Sequence, residues 1–238
     1  MNRIIMILIR GIFVIPYWLF KFRSWNKKGN VPIETRYALV NKACTWVVNH
    51  ANVEMIVSGV ENLPQTEGGY MIAPNHQGMF DAFMLLSTHS RPLTAVYKIE
   101  LVDKPIVSDI AKVVDAYPMD RSNLRASIKV IREVGEDIKN KGRVVVIFPE
   151  GTRSKQGNTM GEFKGGSFKA AQNAKAPIVP VALIDCFKPF DTKSLAKVSP
   201  QIHYLQPIEY SEYEDLSTQE IADLVKSRIQ TKMDEVLK

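Results

Sequence analysis

The stretch YMIAPNHQGMFDAFMLLST, residues 70–88, changes character twice. Tyr70-Met71-Ile72-Ala73 is a short apolar run of the kind that fills a buried strand, and residues 81–88 read as a helix. The polar residues Asn75, His76 and Gln77 therefore fall in the turn between them. The same succession recurs along the chain. Apolar or β-branched runs occupy 54–58, 70–73, 93–97, 113–119, 143–148, 178–184 and 201–206, and helix candidates lie at 81–88, 104–112, 123–140 and 166–175. Strand, loop and helix in alternation predict an α/β fold, a mostly parallel mixed sheet of about seven strands with surrounding helices. A last helix, 218–237, opens on Ser217-x-x-Glu220, the pattern of a capping box.

In open α/β sheets ligands collect outside the carboxyl ends of the strands. Four polar clusters fall at such ends: Asn75-His76 to Asp81, Lys98-Ile99-Glu100-Leu101, Asp120-Arg121, and Pro149-Glu150-Gly151-Thr152-Arg153-Ser154. On an unbroken helix, five residues advance by about 500°, so His76 and Asp81 would point about 140° apart. They meet only if His76 lies in the turn and Asp81 starts the helix. The carboxylate then fixes the tautomer of the imidazole and supports the imidazolium formed when the other nitrogen takes a proton. Otherwise Asp81 is a plain helix cap and His76 a loop histidine. In RVVVIFPEGTRS, residues 143–154, a buried strand feeds a loop with a carboxylate, a glycine, a hydroxyl and a guanidinium, and Arg153 has the geometry to grip a phosphate bidentately. Nothing in these clusters supplies a Gly-x-Ser-x-Gly nucleophile or a glycine-rich phosphate loop.

In order and context these stretches resemble the glycerolipid acyltransferases, in particular the 1-acylglycerol-3-phosphate (lysophosphatidic acid) acyltransferases. The family's Asn-His-x4-Asp block is matched by Asn75, His76 and Asp81, and its Asp-Arg pair by Asp120 and Arg121. Its Phe-Pro-Glu-Gly-Thr-Arg-Ser block is matched in full from Phe148 to Ser154, and its Val-Pro-Val strand by Val179-Pro180-Val181. Lys98 falls in a segment like its Lys-x-Glu-Leu, and Lys164 in its basic turn after the third block. The resemblance covers about residues 54–210 and departs from the family at Gly78, where many members carry serine, and at Tyr117-Pro118-Met119.

The resemblance implies acyl transfer from a thioester, acyl-carrier protein or acyl-CoA, to the sn-2 hydroxyl of lysophosphatidic acid, making phosphatidic acid for phospholipid synthesis. His76 is the expected general base and Asp81 orients it. Lys98, Arg121, Glu150, Gly151, Thr152, Arg153 and Lys164 are the expected acceptor-binding residues. No cofactor or metal is expected beyond the acyl donor. Two rivals stand beside this reading: acylation of glycerol 3-phosphate or another lysophospholipid, and a non-catalytic protein that binds lipid or acyl carrier.

The formal charge of +6 and pI near 9.2 suit a nucleic acid, an anionic lipid surface or a phosphorylated substrate. Their distribution favours lipid over nucleic acid. Arg3, Arg10, Lys21, Arg23, Lys27 and Lys28 all precede the first acidic residue, Glu34, and bracket an apolar run over 4–20. As one helix that run would be roughly 25 Å long, short of the roughly 30 Å of a bilayer core. An interfacial anchor is the expectation, with a true span or a signal peptide as alternatives. With a second amphipathic helix over 33–51, either packed on the main domain or paired with the first, it predicts a two-helix membrane anchor over residues 1–53. The α/β domain follows over 54–238, peripheral or monotopic on the cytoplasmic face of the cell membrane. Cys44 and Cys186 are far apart and outside any metal-type spacing, which suits a reducing compartment.

Overall fold

The computed structural model describes residues 3–238. Seven strands form one sheet: β1 (Ile56–Ser58), β2 (Tyr70–Pro74), β3 (Leu93–Lys98), β4 (Tyr117–Met119), β5 (Val144–Val146), β6 (Ile178–Ile184) and β7 (Gln201–Tyr204), in the order β1-β7-β6-β2-β5-β3-β4. All neighbours run parallel except β6 and β7. Every residue of β2, β5 and β6 is buried, which is why these strands read as unbroken apolar runs rather than alternating ones. The parallel pairing has a functional consequence. The carboxyl ends of β6, β2, β5, β3 and β4 open along one edge, and the polar clusters of the sequence lie there.

Helices α1 (Arg3–Arg10), α2 (Val14–Lys28), α3 (Ile33–His50), α4 (Asp81–Thr88), α5 (Val107–Val113), α6 (Leu124–Lys141), α7 (Lys169–Ala174), α8 (Lys188–Asp191), α9 (Tyr210–Tyr213) and α10 (Thr218–Leu237) surround the sheet. Two apolar clusters fill its faces. One joins the sheet to α6, α7 and α10, with Ile221, Val225, Ile229 and Met233 forming the inward stripe of α10 at helical spacing. The capping box of α10 is present as expected, Ser217 accepting from Glu220 N and Glu220 from Ser217 N. The other cluster takes Phe22, Tyr37, Val40, Cys44 and Val48 from α2 and α3 and Phe80, Met84 and Leu85 from the α4 segment.

Three elements depart from the sequence reading. The strand expected over 113–119 begins only at Tyr117, because Val113 and Val114, though buried, end α5 and Asp115 turns the chain at φ 52°. Asp115 is held there by Arg36 and Arg143 at 2.8–2.9 Å. Pro118 is accommodated because β4 is the sheet's edge. The helix expected over 166–175 divides into a 3₁₀ turn, Gly165–Phe168, and α7.

The apolar run over 4–20 is not one helix. It breaks between α1 and α2, which meet at 84°. Pro16 has no N–H to give an upstream carbonyl, so it fits only the first turn of a helix that starts afresh at Val14. Helix α3 turns its buried face, Tyr37, Val40, Cys44 and Val48, into the second cluster, with Tyr37 Oη donating to His89 O at 3.1 Å and Asn41 Nδ2 to Leu86 O at 2.8 Å.

Candidate active site

Strand β2 delivers Asn75, His76 and Gln77 into the loop before α4, and α4 begins at Asp81. The condition set by the helix geometry is met: His76 Nδ1 lies 2.7 Å from Asp81 Oδ2. An ionised carboxylate only accepts, so Nδ1 carries the proton and Nε2 is the basic nitrogen. Asp81 is fully buried and does not act as a helix cap. Its carboxylate turns back to accept from Gln77 N at 2.7 Å and Gly78 N at 3.1 Å, groups that precede the helix. The imidazole is 21% exposed and stacks on Phe148, ring centroids 4.0 Å apart. One edge of the ring is thus held, one face is covered, and part of the side chain remains exposed.

The loop after β5 fixes the backbone of His76 as well. Glu150 is buried and accepts from His76 N at 2.7 Å through Oε1 and from Gly161 N at 2.8 Å through Oε2. Ser154 N in turn donates to His76 O at 2.9 Å. Burial pushes the Glu150 carboxyl above its ordinary range, opposed by those two N–H groups. Glu150 is therefore a brace joining two loops, not a surface charge. Gly151, at φ 70°, turns the chain past the side chain of Lys164 in a conformation that a residue with a β-carbon adopts with strain.

The expected phosphate grips are spread along the same edge. Arg153 is 43% exposed and pairs with Asp191 at 3.4 Å, and Lys98, at the end of β3, pairs with Glu100 at 2.7 Å. Thr152 and Lys164 are exposed, Lys164 N donating to Pro149 O at 3.0 Å. Arg121 is exposed after the edge strand β4, where Asp120 accepts from Ser122 N and Oγ to turn the chain into α6. From β2 to β4 is three strand spacings, roughly 14 Å. The structure thus brings His76, Asp81, Glu150, Gly151 and Lys164 into one constellation and sets Lys98 and Arg121 progressively farther out.

Other residues complete the site through partners far away in sequence. Asn75 is buried and clasps β6 from both sides, Nδ2 donating to Leu183 O at 2.9 Å and Oδ1 accepting from Leu183 N at 2.7 Å. Gln77 links Cys186 N to Asn158, each at 2.8 Å. The Val179-Pro180-Val181 motif lies inside β6 between β2 and β7, its amides committed to the sheet. Cys186 is no nucleophile. It is fully buried, and burial, with the charge of Asp81 adding to it, pushes the thiol well above its ordinary value.

His89 is a useful contrast to His76. It is buried, with Nε2 2.7 Å from the Tyr70 hydroxyl and Nδ1 2.8 Å from Arg91 O. Burial pushes it from the usual 6.5 down to about 4. The unfolded chain binds the proton more readily between those values, so this residue's contribution to stability is complete above pH 6.5 and is lost as pH falls toward 4. It belongs to the core, not to the chemistry.

A histidine oriented by a buried carboxylate in a strand-end loop, with guanidinium and ammonium groups beyond it, has the parts that a group-transfer site needs, and an acyltransferase family model matches residues 54–184. The chain belongs to that acyltransferase family and is an acyltransferase. It is 28% identical over 212 residues to a probable 1-acyl-sn-glycerol-3-phosphate acyltransferase of Mycoplasma pneumoniae, covering 82% of this chain and 77% of that one. It is 32% identical over 157 residues to the 1-acyl-sn-glycerol-3-phosphate acyltransferase of Pseudomonas aeruginosa, covering 64% and 60%. The fold matches the crystal structure of the 1-acyl-sn-glycerophosphate acyltransferase of Thermotoga maritima with a TM-score of 0.66 at 21% identity, covering 97% of this chain and 98% of that one.

Proposed function

We propose that this acyltransferase moves a fatty acyl group from a thioester, acyl-carrier protein or acyl-CoA, to the sn-2 hydroxyl of 1-acylglycerol 3-phosphate, producing phosphatidic acid for phospholipid synthesis. The carrying observation is the 2.7 Å contact of His76 Nδ1 with the buried Asp81, which leaves Nε2 as base. The hydroxyl gives its proton to Nε2 as its oxygen attacks the thioester carbonyl, an effect typically worth ~10²–10⁴-fold. The tetrahedral intermediate collapses by breaking the carbon–sulfur bond, and the thiolate takes the proton back from His76. Asp81 supports the imidazolium between the two steps. Arg153, with Lys98, Lys164 and Arg121 along the same edge, holds the phosphate so that the hydroxyl arrives at Nε2. Glu150, Gly151 and Thr152 shape the loop that presents Arg153.

Mass spectrometry of the lipids formed from lysophosphatidic acid and each thioester tests the reading. Phosphatidic acid is the expected product. Acylation of glycerol 3-phosphate or of a phosphodiester lysolipid in its place would reassign the acceptor, and binding without turnover would make the protein a carrier.

We take residues 1–53 as the segment directed to the membrane and 54–238 as the catalytic domain, monotopic on the cytoplasmic face. Among the described residues no single helix is long and apolar enough to cross a bilayer. The bent pair α1 and α2 is tied to the domain at both ends: the Arg3 guanidinium donates to the carbonyls of Lys188 and Pro189, and Arg23 Nε to Asp109 at 2.9 Å. Between these ties Ile9, Ile12, Phe13, Tyr17 and Phe20 are exposed, Phe13 to 88%, with Arg10 and Lys21 beside them. Two fixed ends and an apolar bend support entry into one leaflet. Deleting the segment would remove Trp18 and Phe22, which are buried, and uncover the rest of the apolar cluster they pack in, so the sharper test is Ile12→Ser, Phe13→Ser and Phe20→Ser together. Partitioning onto floated anionic vesicles is expected to weaken about a thousandfold or more, from the loss of about 1.5–3 kcal/mol for each of the three large apolar side chains, with thermal stability nearly unchanged. Undiminished flotation would move the membrane contact elsewhere.

A further inference from the structure

Asp191 ends α8, and its carboxylate lies over the loop between β2 and α4. Oδ1 is 3.4 Å from Arg153 Nη1, and Oδ2 accepts from Met79 N at 3.3 Å. Oδ2 is also so close to Gly78 that a β-carbon there would come within 2.5 Å of it. The turn carrying Asp191 is clamped from below. Arg3, 1% exposed, donates to Lys188 O at 3.2 Å and Pro189 O at 3.0 Å, and also to Ala196 O, so it grips the chain on both sides of Asp191. Within the turn, Asp191 N donates to Phe187 O at 2.9 Å. The carboxylate is therefore presented to Arg153 by a fixed element. The ion pair itself is long and partly exposed on both sides, 43% and 32%, which makes it weak and exchangeable.

We infer that Asp191 is the built-in counter-ion of Arg153 and sets how tightly the site holds a phosphate. This rests on the reading of Arg153 as the grip on the acceptor's phosphate. Under that reading acceptor and product carry the same phosphomonoester, so every increment of affinity for the headgroup slows departure of the product as much as it helps arrival of the acceptor. A carboxylate that competes with the phosphate for the guanidinium moderates both. Asp191 is a positioning and affinity-setting residue. It does not touch the reacting atoms.

The experiment is a double-mutant cycle read by NMR titration of the full chain with glycerol 3-phosphate, with inhibition of turnover by phosphatidic acid as a second readout. Asp191→Asn keeps the shape and the hydrogen bond from Met79 N while removing the charge. It is expected to tighten glycerol 3-phosphate binding about two- to fivefold, the range of an exposed ion pair, and to strengthen product inhibition by a similar factor. Arg153→Ala alone is expected to weaken binding, and Asp191→Asn added to it to have no further effect. If Asp191→Asn leaves binding unchanged or weakens it, or if its effect persists without Arg153, the inference is overturned while the phosphate role of Arg153 stands. If Arg153→Ala binds glycerol 3-phosphate as well as wild type, the reading of Arg153 fails and the inference with it.

Discussion

Replacing His76 with alanine is expected to lower kcat for acyl transfer by about 10²–10⁴-fold or more, with the fold and the apparent affinity for the acceptor kept. The loss is large because Nε2 is the site's one base aligned by a buried carboxylate, through Nδ1 at 2.7 Å. The fold survives because the residue's structural duties belong to its backbone. His76 N is bound by Glu150 and His76 O by Ser154, and neither bond needs the ring. Alanine gives up only the stacking on Phe148. Circular dichroism and thermal melting of the variant are the controls, and turnover above a tenth of wild type would remove His76 as the base.

Asp81→Asn is expected to cut kcat on the order of 10²–10⁴-fold with the acceptor KM nearly unchanged. Asparagine retains one oxygen for Gln77 N and Gly78 N, so the turn before α4 persists. Its amide nitrogen is a donor and cannot accept the Nδ1 proton. Oδ2 accepts from Gln77 N, Gly78 N and His76 Nδ1 alike, so an asparagine oxygen in its place serves all three, but as a weaker, neutral acceptor for the imidazole. It also withdraws the negative charge that supports the imidazolium. Were Asp81 an ordinary helix cap, asparagine would replace it with little change in rate. The kinetic split between kcat and KM, measured beside thermal stability, separates the two roles.

Much of the fold is legible because its strongest elements are locally consistent. Residues 178–184 and 81–88 were expected as a strand and a helix, and β6 and α4 have those bounds. Helix α10 announces itself by a capping box and an apolar stripe. Arg10, Gly11 and Pro16 mark the run over 4–20 as interrupted, but the place and angle of its break depend on where Trp46 and Pro189 lie in the folded chain. A β-carbon on Gly11 would approach the Trp46 ring to 3.0 Å, and Arg3 is fixed by Pro189 O. Asp115 ends an apolar run by a turn stabilised through Arg36 and Arg143, both distant in sequence.

In the site, His76, Asp81 and Glu150 stand out as polar residues at strand ends. The role of Glu150 as a brace was hidden because it requires β5 to lie beside β2, a pairing across some seventy residues of chain. The roles of Asn75, Gln77 and Asp191 were hidden for the same reason: their partners are Leu183, Cys186 and Arg153, which only the folded sheet brings near.

The central chemical claim is that His76 delivers the acceptor hydroxyl directly to the thioester, with no acyl-enzyme between. The most direct measurement mixes enzyme at high concentration with acyl thioester and withholds the acceptor, following free thiol by rapid quench and the intact protein by mass. No burst of thiol and no protein carrying the acyl mass are expected, with thiol released only when lysophosphatidic acid is added. A burst of one thiol per enzyme before any acceptor is present, together with acylated protein, would contradict direct attack.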